Sequence, residues 1–146
     1  MAVSENSFVT GSQDRTFRGW SVQNEGFVTE FNILTDNTIL CTAINETQTL
    51  IALGLRNGNV ELYKADNEEV WKFHSTIQCH NSEVLCLSWN DSILATGGRD
   101  RYVHIIQVEL NSHIKRELAN LTMHTSTVNA VHWIKGEQYI LYVTYI

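Results

Sequence analysis

The chain has 146 residues, ten Lys and Arg against 16 Asp and Glu, and a formal net charge of −6. Ten scattered basic residues in an acidic chain suit a nucleic-acid backbone poorly, so no nucleic-acid partner is expected. Hydrophobic residues at 43% and charged residues at 18% describe a globular domain, and no apolar run approaches the roughly 18 residues of a membrane span, so no membrane partner is expected either.

From the N-terminus, MAVSENSF has neither a basic nor an apolar signal-peptide region. Phe8 to Val22 reads FVTGSQDRTFRGWSV: a short apolar strand, a Gly, a tight polar turn and a second, alternating strand. ILCTAI, residues 39–44, is a further apolar strand, and LIALGLRNGNVELYKA, residues 50–65, repeats the first pattern. Trp71 and Phe73 then alternate in another strand, which suits packing between layers better than base stacking. CHNSEVLCLSW, residues 79–89, is followed by a third copy of the pattern, ILATGGRDRYVHIIQV, residues 93–108. MHTSTVNAVHW, residues 123–133, repeats the segment at Cys79, and the closing YILYVTYI departs from the repeat.

The turn residues Asp14, Asn57 and Asp100 fall 43 apart, twice. His80 and His124 are 44 apart, as are Trp89 and Trp133. One period of 43 to 45 residues is the length of a four-stranded propeller blade. The expected fold is therefore all-β: an incomplete propeller of about three and a half antiparallel blades, since a seven-bladed ring at this period needs about 300 residues. The expected units are a partial blade at 7–36, blades at 37–78 and 79–123, and a partial blade at 124–146. Strands in the third unit are expected near residues 83–89, 92–97, 101–109 and 115–123. Most positions on both faces are apolar, as befits a sheet between two neighbours, and no segment shows a helical period.

The turns have a chemical cause. Asp14 and Asp100 are expected to accept hydrogen bonds from backbone N–H groups two residues on, and Asn57-Gly58 supplies a positive φ. His80 and His124 are expected to bond the turn carboxylate of their own blade. Cys41, Cys79 and Cys86 are odd in number and read as reduced thiols of a cytosolic or nuclear protein. The N-x-S/T triplets at Asn45, Asn90 and Asn120 occur about as often as chance allows and do not argue for secretion.

Thr10-Gly11-Ser12-Gln13-Asp14-Arg15-Thr16-Phe17-Arg18-Gly19-Trp20 resembles a WD repeat, with His80 and Asp100 at that family's loop His and turn Asp. Only Trp20 keeps the third-strand Trp; Tyr63 and Ile106 stand in its place later. HNSEVLCLSWNDSILATGGRDRYVHIIQV, followed by HTSTVNAVHW, narrows the likeness to the mitogen-activated protein kinase-binding protein 1 family of WD-repeat scaffolds. That likeness covers roughly residues 7–133, and the stretches 82–87 and 98–101 carry it most specifically. It implies a scaffold in c-Jun N-terminal kinase signalling, in the cytoplasm and at the centrosome or spindle pole. The family's kinase-docking segment lies in a long tail that this sequence does not contain, so kinase-pathway components would be reached through regions outside it.

Four of the six arginines, Arg15, Arg56, Arg99 and Arg101, fall in the tight turns. With His80 and Glu83 they form the candidate partner-binding set, suited to acidic or phosphorylated peptide segments that Arg chelates bidentately. Asp14, Trp20, Asn57, Asp100 and His124 are the candidate structural set. Cys79-His80 has no third orienting group in register for a thiol nucleophile, and Gly97-Gly98 lacks the Lys-Ser/Thr pair of a phosphate loop. Cys79, His80, Cys86 and His124 fit no short zinc motif. No catalytic residue, metal or cofactor is expected. Two other readings compete with the kinase scaffold: a generic propeller adaptor such as a ubiquitin-ligase substrate receptor, and a half-propeller that completes its ring with another chain; the open blade faces also invite self-association.

Overall fold

A computed structural model describes residues 7–24, 26–109, 115–134 and 140–144. Every regular element among them is a strand. The strands are β1 (Ser7–Gly11), β2 (Thr16–Gln23), β3 (Gly26–Leu34), β4 (Ile39–Ile44), β5 (Leu50–Leu55), β6 (Asn59–Ala65), β7 (Trp71–Gln78), β8 (Val84–Asn90), β9 (Ile93–Gly98), β10 (Val103–Val108), β11 (Lys115–Leu121), β12 (Val128–Trp133) and β13 (Ile140–Thr144). They pair in chain order into four antiparallel sheets: β1-β2-β3, β4-β5-β6-β7, β8-β9-β10-β11 and β12-β13. The all-β, incomplete-propeller architecture is therefore the one the repeat implied. In the third sheet the strands lie within two residues of their expected places, the shift coming where turn residues leave the ladder.

Why both faces of a strand are apolar is visible in β5. All six of its residues are buried. Ile51, Leu53 and Leu55 join Phe17 and Tyr63 in a core between the first and second sheets. Leu50 and Ala52 face the other way, into a core with Val84, Leu94 and Ile106 of the third sheet. A third core joins Val103 and Ile105 to Val128 and Trp133 of the fourth sheet. Each sheet is thus glued to its neighbours by alternate residues of the same strand, and full burial of each such side chain is worth about 1.5–3 kcal/mol. Among the described residues no second sheet covers the outer face of β3, and Phe27 and Leu34 are 65% and 66% exposed.

The innermost strands pack side by side, β1 on β4, β4 on β8 and β8 on β12. The equivalent tryptophans fasten them. Trp89 donates its indole N–H to the Ala43 carbonyl of β4 at 3.3 Å, and Trp133 donates to the Ser88 carbonyl of β8 at 3.1 Å. The thiols repeat in the same way: Cys41 Sγ meets the Val84 carbonyl at 3.6 Å and Cys86 Sγ meets that of Val128 at 3.7 Å. Asn45 is buried and ties a turn, its side-chain oxygen accepting from the Thr49 and Leu50 amides at 2.9 Å each.

Candidate functional site

Three tight turns connect β1 to β2, β5 to β6 and β9 to β10, and they share one backbone. In each, an amide bonds back three residues: Arg15 to Ser12 at 3.2 Å, Gly58 to Leu55 at 3.2 Å and Arg101 to Gly98 at 3.2 Å. The residue that donates sits at positive φ: Arg15 at 70°, Gly58 at 89° and Arg101 at 76°. The side chain before it fixes the turn. Asp14 Oδ1 accepts from the Thr16 amide at 2.8 Å, Asn57 Oδ1 from the Asn59 amide at 3.1 Å and Asp100 Oδ1 from the Tyr102 amide at 3.2 Å.

These turns are bound to the loops that lead from one sheet to the next. The Thr35 amide donates to the Arg15 carbonyl at 2.8 Å, the Arg56 amide to Thr38 at 3.0 Å, the His80 amide to Gly58 at 3.1 Å and the Arg99 amide to Glu83 at 2.9 Å. Turns and loops therefore form one rim at one end of the sheets. Arg15, Arg56, Arg99 and Arg101 are all exposed on it. Arg99 is held against Glu83 at 3.1 Å, and Ser82 donates its hydroxyl to the same carboxylate. The Ser82 bond, with help from Arg99, holds the Glu83 carboxyl below its ordinary range. Among the described residues Arg15, Arg56 and Arg101 enter no ion pair.

Below the rim, His80 and Asp100 meet. His80 Nδ1 lies 2.8 Å from Asp100 Oδ1, and His80 Nε2 lies 2.8 Å from Thr96 Oγ1. The second Asp100 oxygen accepts from the Asn81 amide at 2.9 Å. Burial lowers the His80 pKa against the pull of Asp100, leaving a neutral ring at pH 7. Burial works to raise Asp100, but the Asn81 amide and His80 outweigh it and the carboxyl stays below its usual range. Trp20 donates its indole to Thr10 Oγ1 at 2.8 Å in the first sheet. His124 is half-buried in the loop before β12; its expected bond to a turn carboxylate of its own blade lies outside the described residues. Tyr63, at the Trp20 position of the second sheet, is buried in the core instead.

Neither thiol of the Cys79–Cys86 stretch is activated. Burial pushes the Cys79 thiol up to about 12 and the Cys86 thiol up to about 11, so neither is a thiolate at neutral pH. Cys86 bonds carbonyls of Gly97 and Val128, away from His80, which separates the two residues that a zinc set would need together. The sequence reading missed Thr96, His104 and Glu117. Thr96 was findable, since it precedes Asp100 by the same four residues that separate Thr10 from Asp14. His104 had no such signal, being one side chain in an alternating strand.

Residues 42–136 match the family described as the Anaphase-promoting complex subunit 4 WD40 domain. The chain belongs to the WD40-repeat family. WD repeat-containing protein srw1 of Schizosaccharomyces pombe is 30% identical over 118 residues, 81% of this chain and 20% of that protein. WD repeat-containing protein 62 of Mus musculus is 30% identical over 87 residues, 56% of this chain and 5% of that protein. The chain thus spans a fifth or less of the length of these relatives. The structure of U3-55K superposes with a TM-score of 0.74 at 20% identity, over 90% of this chain and 40% of that one, which identifies the WD40 fold. WD40 domains serve in general as non-catalytic platforms that bind other proteins.

Proposed function

We propose that the chain is a non-catalytic interaction platform whose rim takes acidic or phosphorylated protein segments. One observation carries the reading. An acidic chain exposes four of its six arginines on three like turns, each turn tied by backbone hydrogen bonds to an inter-sheet loop. The turns fix where each arginine leaves the rim, and an exposed guanidinium can pair bidentately with carboxylate or phosphate. The finer proposal is a scaffold of the mitogen-activated protein kinase-binding type, acting in the cytoplasm and at spindle poles. Its support is the resemblance at residues 82–87 and 98–101.

The test uses fluorescent peptides: an Asp/Glu-rich one, a phosphoserine one and an uncharged scramble. The acidic and phosphorylated peptides should bind with an affinity that falls as salt rises, and Arg99→Glu/Arg101→Glu should weaken them about tenfold or more. Equal binding of all three peptides, or unchanged binding by a folded double variant, contradicts the proposal. The finer reading is tested by microscopy of the tagged chain in dividing cells: enrichment at spindle poles is expected, and a diffuse signal throughout mitosis contradicts it.

A further inference from the structure

On the face that β10 turns toward the second sheet sits a histidine the repeat does not explain. His104 lies opposite Thr96 in the β9–β10 ladder and is 6% exposed. A bulge between Ile105 and Ile106 sets Glu117 opposite Ile106. From there Glu117 Oε1 reaches His104 Nδ1 at 2.6 Å. The other ring nitrogen, Nε2, is buried with no hydrogen-bond partner in the chain. A buried polar atom left in that way costs about 1–3 kcal/mol, so it asks for an occupant.

The surroundings say which. The His80 and His104 rings stand edge to face, centroids 4.6 Å apart at 90°. A ring nitrogen of each, with a carboxylate oxygen of Asp100, form a group whose atoms all lie within 4.8 Å of one another. Each of the three already has an outer partner: Glu117 for His104, Thr96 for His80, and the Asn81 and Tyr102 amides for Asp100. Ligating histidines in metal sites are held by just such carboxylate and hydroxyl contacts. A cavity of about 210 Å³ in the cleft between the second and third sheets, lined by Ile77, Cys79, His104, Ile106 and Glu117, reaches His104.

The geometry points to a site for one zinc-class divalent cation, held by His104 Nε2, His80 Nδ1 and Asp100, with its open position toward the cavity. Two imidazoles and one carboxylate suit zinc and its first-row neighbours, and are too nitrogen-rich for magnesium or calcium. Tetrahedral zinc with bonds near 2.0–2.1 Å spaces its ligands about 3.3 Å apart. The group therefore closes by about 1.5 Å at its widest, while the 2.8 Å His80–Asp100 contact opens slightly. His80 stays neutral throughout: its proton moves from Nδ1 to Nε2 and is then donated to Thr96 Oγ1.

The full chain, stripped with chelator, is titrated with Zn²⁺ by calorimetry and with Co²⁺ by visible absorption. One ion per chain, micromolar affinity, tetrahedral Co²⁺ bands and a rise in melting temperature with Zn²⁺ are expected. His104→Ala leaves the His80 bonds to Asp100 and Thr96 in place and should weaken binding about tenfold or more. His132→Ala, on an exposed side chain, should change nothing. Binding no tighter than millimolar, octahedral Co²⁺ only, or affinity that survives His104→Ala overturns the site and leaves a structural ring stack. A folded His104→Gln variant, checked by circular dichroism, repeats the test if the alanine variant fails to fold.

Discussion

In the first sheet Trp20 donates to Thr10, while Asp14 bonds only within its own turn, to the Thr16 amide and hydroxyl. In the third sheet Thr96 meets His80 and His80 meets Asp100, while Ile106 stands where Trp20's counterpart would be. The two sheets carry complementary halves of one Asp–His–Thr–Trp chain, 86 residues apart. The middle sheet has dispensed with it: Leu53 and Tyr63 occupy the Thr and Trp positions and are buried in the core. The repeat therefore conserves a shape, two packed faces and a tight turn, and lets polar or apolar chemistry hold it. Where the polar half includes the histidine, it also ties a loop, because Asp100 reaches the Asn81 amide. Asp14 makes no such tie.

That difference can be broken at its strongest point. Asp100→Ala removes the partner of His80 and of two amides, and should cost about 3 kcal/mol in urea unfolding. Asp14→Ala should cost clearly less, since water reaches its turn. If the two variants melt alike, the third-sheet network is no better an anchor than a solvated turn.

Gly58→Ala sharpens the comparison of turns. Its new Cβ would lie 2.3 Å from the His80 carbonyl oxygen at a φ of 89°, which should destabilise by about 2 kcal/mol or more. Arg101→Gly at the equivalent position relieves a left-handed Arg but loosens the unfolded chain, so the two effects should cancel to within about 1 kcal/mol. Thermal melts of both variants read this directly.

Next in size, Thr96→Val strands a buried His80 nitrogen and should cost about 1–3 kcal/mol. Thr10→Val frees an indole that water can reach and should cost about 0.5 kcal/mol or less. The smallest effect is one of pH. The Glu83 carboxyl is depressed in the folded chain, so its contribution is complete above about pH 4.3 and fades as pH falls through the folded value. The acid side of a stability–pH curve should flatten slightly in Glu83→Gln.

Much of this was legible in the sequence because period and turn chemistry are local. Asp14, Asn57 and Asp100 sit 43 residues apart, and each does bond its turn amide. Trp89 and Trp133 marked the repeat, and their indoles turn out to fasten one sheet to the next. His80 bonds Asp100, the acid of the β9–β10 turn of its own sheet. What stayed hidden depended on register. Nothing in VHIIQV shows that a bulge after Ile105 will bring Glu117 to His104. Nor does the run at 26–34 show that β3 leaves Phe27 uncovered, since that depends on what lies beyond the first sheet.

Rigid presentation of the rim is the claim on which the functional proposal depends, and hydrogen exchange of the free chain tests it most directly. The Asn81, Arg99 and Tyr102 amides, each bonded across or within the third-sheet rim, should exchange at rates close to those of the β9 and β10 ladder. The Asp14 amide, bonded to the exposed Ser12 hydroxyl, should exchange faster. Asn81 and Arg99 exchanging as fast as Asp14 would mean that the rim is loose, and a loose rim does not present its arginines.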